Sequence, residues 1–147
     1  MTEFGGRKMI IKQVSVFVEN RPGRLSEIVD ILAKNGVNMR ALSIADTMDF
    51  GILRIIVDEP DKVMLMLREN KITATAADVL AVRLEDKPGA LSELLGALAK
   101  EGISVEYIYA FVARQDDGAA YVVIRVEDND KAQQVVEKLG FSGIEKI

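Results

Sequence analysis

The residue types best suited to holding a small charged molecule sit in one heptapeptide that occurs twice. It reads Glu19-Asn20-Arg21-Pro22-Gly23-Arg24-Leu25 and then Glu85-Asp86-Lys87-Pro88-Gly89-Ala90-Leu91. Each copy follows a run with strand alternation and precedes a run with helical spacing, so it joins a strand to a helix. The first N–H groups of a helix have no internal partner. With the helix dipole they favour an anion. Glycine at the bend lets a ligand approach the backbone closely. The chemistry implied is reception of a carboxylate at the helix start, with Asn20 or Asp86 placed to meet an ammonium group. The plain alternative is a tight turn that starts a helix and binds nothing. Duplication copies structural turns as faithfully as sites.

The repeat extends well beyond the loop. Pro88-Gly89 lies 66 positions after Pro22-Gly23, and the same offset pairs Val16 with Val82, Ser26 with Ser92, Leu32 with Leu98, Lys34 with Lys100 and Gly36 with Gly102. After a shift of three positions, Asp61-Lys62 falls over Asp130-Lys131. A period this long implies two domains rather than a solenoid. The expected boundaries are 8–77 and 78–147, with residues 1–7 as a short lead-in.

The elements that position the loops follow from apolar spacing. Val14, Val16 and Val18 alternate with Ser15 and Phe17, which predicts a strand. Leu25, Ile28, Val29 and Leu32 recur at helical spacing, and Asn35-Gly36 ends that helix. Strands are predicted over 37–45 and 52–57, with a turn at 47–50 between them. A second helix begins at Pro60, where a first turn tolerates proline, and carries Val63, Met64 and Leu67. A short strand over 72–76 closes the copy. The second copy repeats the plan, with strands over 79–84, 103–113 and 119–126, helices over 91–98 and 131–139, a hairpin turn at 115–118 and a closing strand at 144–147. One long strand across 72–84 is the alternative to two short ones. The order β-α-β-β-α-β is the ferredoxin-like plan. The expected fold is α+β: two such units side by side, each an antiparallel sheet with both helices on one face. Leu42, Ile44, Ile108, Ala110, Val122 and Ile124 make the sheets apolar enough to need cover on at least one face. Small domains with open strand edges gain from pairing, so a homodimer is expected.

Composition removes whole classes of function. The 147 residues contain no Cys and no His. Disulfides, thiol chemistry, zinc sites and His-based nucleophile systems are excluded. Net charge is −4, with acids and bases interleaved and no basic stripe, which argues against nucleic acid. No apolar run is long enough to span a membrane, and the N-terminus has no signal-peptide pattern, so a cytoplasmic protein without cofactor or metal is expected. Lesser features have simple readings. Tyr107, Tyr109 and Phe111 share a strand face and suit an interface or core. Met64 and Met66 suit core filling. Arg40 and Arg54 lie in strands and could pair with a carboxylate, with a solvated face as the default. Asp128, Asn129 and Asp130 suit a helix cap.

The loop, the helix and the Gly36-Val37-Asn38 segment after it resemble the ACT domain, a regulatory amino-acid-binding module. Both halves do so from about Lys8 onward. The first copy resembles the ACT domain of phosphoglycerate dehydrogenase, with Asn20 and Asn38 at its two Asn positions and Val18 where it has His. The resemblance implies the ferredoxin-like fold and side-by-side pairing. It also implies an amino acid held at the seam between one domain's loop and its neighbour's second strand. The carried-over site residues are 20–25 with Asn38 and Met39, and 86–91 with Ser104 and Val105. Asn20 would contact the ligand from the loop. The N–H groups around Gly23, Arg24 and Leu25 would receive its carboxylate. Asp86 and Ser104 replace the two Asn residues, so the sites are expected to differ. No catalytic residue is implied.

The leading expectation is a non-catalytic amino-acid sensor, with a separate enzyme as the regulated partner. The alternative is a structural oligomerisation module that acts through a protein partner without a ligand. An acylphosphatase-like enzyme using Arg21 or Arg24 is disfavoured because the rest of that loop pattern is missing. A metal chaperone fails for want of Cys, and RNA binding for want of stacking aromatics and basic charge.

Overall fold

A computed structural model describes residues 8–46, 49–112 and 118–144. The lead-in, the centre of the turn at 47–50, most of the hairpin turn at 115–118 and the end of the closing strand lie outside the described residues. The elements run β1 Ile10–Glu19, α1 Arg24–Lys34, β2 Met39–Asp46, β3 Phe50–Val57, α2 Pro60–Glu69 and β4 Ala74–Leu84. They continue with α3 Ala90–Lys100, β5 Val105–Ala110, β6 Ala120–Val126 and α4 Asn129–Lys138. The chain divides into two compact units, Lys12–Ala77 and Met1–Ile11 with Asp78–Ile147.

In the Lys12–Ala77 unit, β3 lies between β2 and β1 and pairs antiparallel with both. Val14, Val16 and Val18 point to one face and pack with Leu53 and Ile55 of β3. Ile28 and Leu32 of α1 and Val63 and Leu67 of α2 cover that face. Each of these aliphatic side chains contributes about 1.5–3 kcal/mol when fully buried. Met64 and Met66 pack against the same cluster, as core filling requires. A register shift between Met39 and Ala41 turns Ala41 toward Ile56, on the face away from the helices. Leu42 and Ile44 stay 39% and 49% exposed on β2.

The second unit repeats this plan. β6 lies between β5 and β4, antiparallel to both. Leu80, Val82 and Leu84 pack with Val122, Ile124 and Val126 under Leu94, Leu98, Ala132 and Val136. On the face away from the helices, Val79, Ala81 and Val123 are fully buried. The rings of Tyr107 and Tyr109 stack at 6.3 Å, and Phe111 meets Tyr121 at 5.8 Å.

Two features depart from the local pattern. Residues 74–84 form one continuous strand, so the last strand of the first copy and the first of the second are a single element. Residues 8–11 group with the second unit, although the repeat places them in the first. Lys8 exchanges both backbone hydrogen bonds with Ile144, and buried Met9 accepts one from Ala81. Of the expected closing strand at 144–147 only Ile144 is described, in an isolated pairing with Lys8; Ser142, just before it, makes another with Arg83.

Candidate functional site

Both loops fold the same way. Gly23 has φ 85° and Gly89 φ 93°, left-handed values that favour glycine, and each glycine caps the helix that follows. In the first loop the Arg21 N–H donates to Glu19 O, the Arg24 N–H to Arg21 O and the Glu27 N–H to Gly23 O. Lys87, Ala90 and Glu93 repeat these three bonds in the second. The Arg24 N–H, expected to receive a ligand, is therefore engaged within the loop. Among the described residues, the N–H groups of Gly23, Leu25 and Ser26 have no backbone acceptor. Asn20 and Pro22 in the first loop, and Asp86 and Pro88 in the second, are exposed. Leu25 and Leu91 are 38% and 41% exposed, which is high for leucine.

Side chains distinguish the two loops. In the first, Arg24 donates to Glu19 at 2.9 Å and Arg21 pairs with Glu27 at 3.1 Å. The Glu19 carboxyl lies below its usual range, chiefly through a backbone hydrogen bond at its own residue and then through Arg24. In the second, Ala90 replaces Arg24, and only Lys87 remains, 3.3 Å from Glu85. The first loop is thus clasped by two ion pairs and the second by one.

Asn38 lies elsewhere in its unit. The Asn20 N–H donates to Asp49 O, beside the start of β3, whereas Met39 pairs with Val57 at the other end of β3. Seven residues of strand separate these points, roughly 23 Å at about 3.3 Å per residue. The structure does not bring Asn20 and Asn38 of one unit together. Asn38 instead lines a hollow of about 230 Å³ with Asn35, Gly36, Asp58 and Lys62. Ser104 lines the equivalent hollow of the second unit, about 410 Å³, with Gly102, Glu106, Asp128 and Lys131. Met39 and Val105 open the strands beside these hollows and are half-buried.

Arg40 does not face solvent freely. It donates through Nε and Nη2 to both oxygens of Asp58, at 2.9 and 3.1 Å. The wall Asp58 gives to the Asn38 hollow was not singled out by sequence. The signal was available as opposite charges at facing strand ends. Arg40 holds the Asp58 carboxyl below its usual range, against a smaller opposing effect of burial. A depressed carboxyl stabilises the fold above its unfolded value of about 3.9, and this is lost as pH falls through the lower folded value. Asp58→Asn is therefore expected to remove stability at pH 7, by under about 1 kcal/mol because the pair is part-exposed. The deficit should vanish in acid below the folded value. Urea titrations from pH 7 downward check this, and a pH-independent deficit would refute it.

Asp128 caps α4, accepting from the Lys131 N–H at 3.1 Å. Among the described residues there is no group of three or more acids that could hold a metal. No helix among them is long and apolar enough to cross a membrane.

Two ferredoxin-like units, each with a Pro-Gly loop between its first strand and first helix, define a tandem α+β protein. The family model for the ACT domain pair matches residues 9–146, and the chain belongs to that family. A crystal structure of a protein from Bacteroides thetaiotaomicron is 40% identical, with TM-score 0.83 and 91% of each chain covered. The regulatory subunit of aspartate kinase from Thermus thermophilus shares the fold at 15% identity and TM-score 0.59, covering 90% of this chain and 97% of that one. Aspartokinase III of E. coli, in complex with aspartate and ADP, shares it at 18% identity and TM-score 0.53, over 88% of this chain and 30% of that one. No curated protein sequence matches the chain. The ACT domain pair is a regulatory rather than a catalytic fold.

Proposed function

We propose that the protein is a cytoplasmic, non-catalytic amino-acid sensor that works as a homodimer and regulates a separate enzyme. The observation that carries this is the loop pair. Two loops of different sequence hold the same left-handed glycine and the same three hydrogen bonds, and both start a helix beside an exposed Asn or Asp. The free N–H groups of Gly23, Leu25 and Ser26 suit a carboxylate. Asn20 and Asp86 suit an ammonium group. By resemblance to the ACT domain of phosphoglycerate dehydrogenase, Asn38 of a neighbouring ACT domain would complete the first site. Asp86 and Ser104 give the second a different preference. A ligand at such a seam acts through its differential affinity for two arrangements of the paired domains.

A thermal-shift screen of the full chain against the twenty amino acids tests the reading. At a hundredfold excess over Kd, binding to the native state adds about 2.7 kcal/mol. That corresponds to a rise of roughly 5–10 °C for a chain of this size. The expected result is such a rise with one amino acid or a small related group. A flat response to all twenty would refute the sensor and favour an oligomerisation module without ligand.

A further inference from the structure

We propose that the groove between α3 and α4 docks an acidic amphipathic helix of a partner protein. The groove measures about 640 Å³. Gly96, Ala97 and Val135 form its floor, and Leu139, at one end, is 54% exposed. Ser92, Gly96 and Lys100 line it at four-residue spacing along α3. That spacing is one face of a helix over about 12 Å, the length of two turns of a docked helix.

The first unit carries different residues at the matching positions of its two helices. Asp30 and Ile31 stand at the positions of Gly96 and Ala97, and Met66 at that of Val135. Ile31 and Met66 pack against that unit's core. Asp30 pairs with Lys34 at 2.9 Å, and Glu59 with Lys62 at 3.0 Å. In the second unit Val135 still packs against the core, but Ala97 does not reach it and neither ion pair recurs. Lys100, the counterpart of Lys34, has a glycine four residues back. Asp128 replaces Glu59 and spends its carboxylate on a backbone N–H. Lys138 stands where the first unit has Glu69. Lys100, Lys131 and Lys138 therefore border the groove without an ion-pair partner among the described residues.

Unpaired ammonium groups around a small-residue floor, on a chain of net charge −4, define the complement. It is a helix with small apolar knobs for the floor and carboxylates for the rim. Glu93 and Glu101 also line the groove, so the occupant's acids must be placed and not merely numerous. Lys131 also lines the hollow at Gly102, which puts it at the same end of the groove as Lys100. Two acids belong there, and one belongs beside Lys138.

The inference rests on the sensor reading only in taking the partner as its target. Docking is measured without amino acid, so failure of ligand binding leaves it standing. The probe is a fluorescein-labelled peptide of about 14 residues with Ala and Leu on one face and Glu on the flanks, beside a twin with Lys for Glu. The full chain is expected to give saturable anisotropy with the acidic peptide alone. Amide NMR shifts should fall within residues 92–101 and 131–139. The Gly96→Asp/Ala97→Ile variant, which restores the first unit's residues, should bind roughly tenfold more weakly. So should the exposed Lys100→Glu, which tests charge without touching the floor. Absence of saturable binding, equal binding of the Lys twin, or shifts centred outside the groove would overturn the proposal.

Discussion

Replacing Gly143 by Ala is expected to destabilise the protein by roughly 3 kcal/mol, the upper end for overpacking. A Cβ on Gly143 would meet the Lys8 carbonyl and the Met9 nitrogen inside van der Waals contact. These are backbone atoms and cannot rotate away as a side-chain tip can. Relief requires separating residues 8–9 from 143–144, where Lys8 and Ile144 exchange hydrogen bonds of 2.8 and 2.7 Å. Met9 transmits the damage, because it is 4% exposed within the second unit's core and accepts from Ala81. Gly96→Ala is the matched control. Nothing lies within 4 Å of the added carbon there, and Gly96 sits inside α3. Alanine in a helix interior should stabilise by about 0.5–1 kcal/mol. Urea unfolding of both variants is the measurement. Equal midpoints would show that the Lys8–Ile144 pairing contributes nothing.

That contrast marks where the sequence is informative. The strand at Val14, Val16 and Val18, the Pro-Gly loops and the helix from Pro60 are set by neighbours in the chain, and periodicity reads them directly. The continuous β4 is not set locally. Residues 74–78 read Ala-Thr-Ala-Ala-Asp, a weak strand pattern with no glycine or proline to break it. Pairing with β1 decides its conformation, as the bond from the Phe17 N–H to Thr73 O shows at its start. Strand propensity is settled by such context. The placement of residues 8–11 is likewise a long-range matter, made by Ile144. The bulge at Met39–Ala41 defeats simple alternation, because one extra residue exchanges the faces of the strand.

The site divides in the same way. The loop motif was legible because glycine at positive φ leaves a local signature. The separation of Asn20 from Asn38 follows from topology, since α1 returns the chain to the other end of the sheet. The α3–α4 groove was latent in the repeat alignment, in the exchange of Asp30 for Gly96 and Glu69 for Lys138. Its meaning depends on which lysines keep a partner, and only packing shows that.

Gly23→Trp is expected to weaken binding of the amino acid found in the screen by at least about a hundredfold, equivalent to about 2.7 kcal/mol. The position suits this test because nothing lies within 4 Å of a Cβ built on Gly23. A side chain can therefore leave the backbone there unobstructed, and an indole is bulky enough to fill the space beside the free N–H groups. Holding a non-glycine residue at φ 85° costs folding about 1–2 kcal/mol. Gly23→Ala carries the same backbone cost without the bulk, so the pair separates obstruction from strain. Calorimetric titration, with circular dichroism to confirm the fold, should show Gly23→Ala binding close to the parent and Gly23→Trp not at all. The same pair at Gly89, also open and at φ 93°, assigns the second loop. Should one loop alone respond, the exchanges of Asn20 for Asp86 and Arg24 for Ala90 have made the copies unequal. Parent affinity in both Trp variants would remove the ligand from the loops altogether and leave the Asn38 and Ser104 hollows as the place to look.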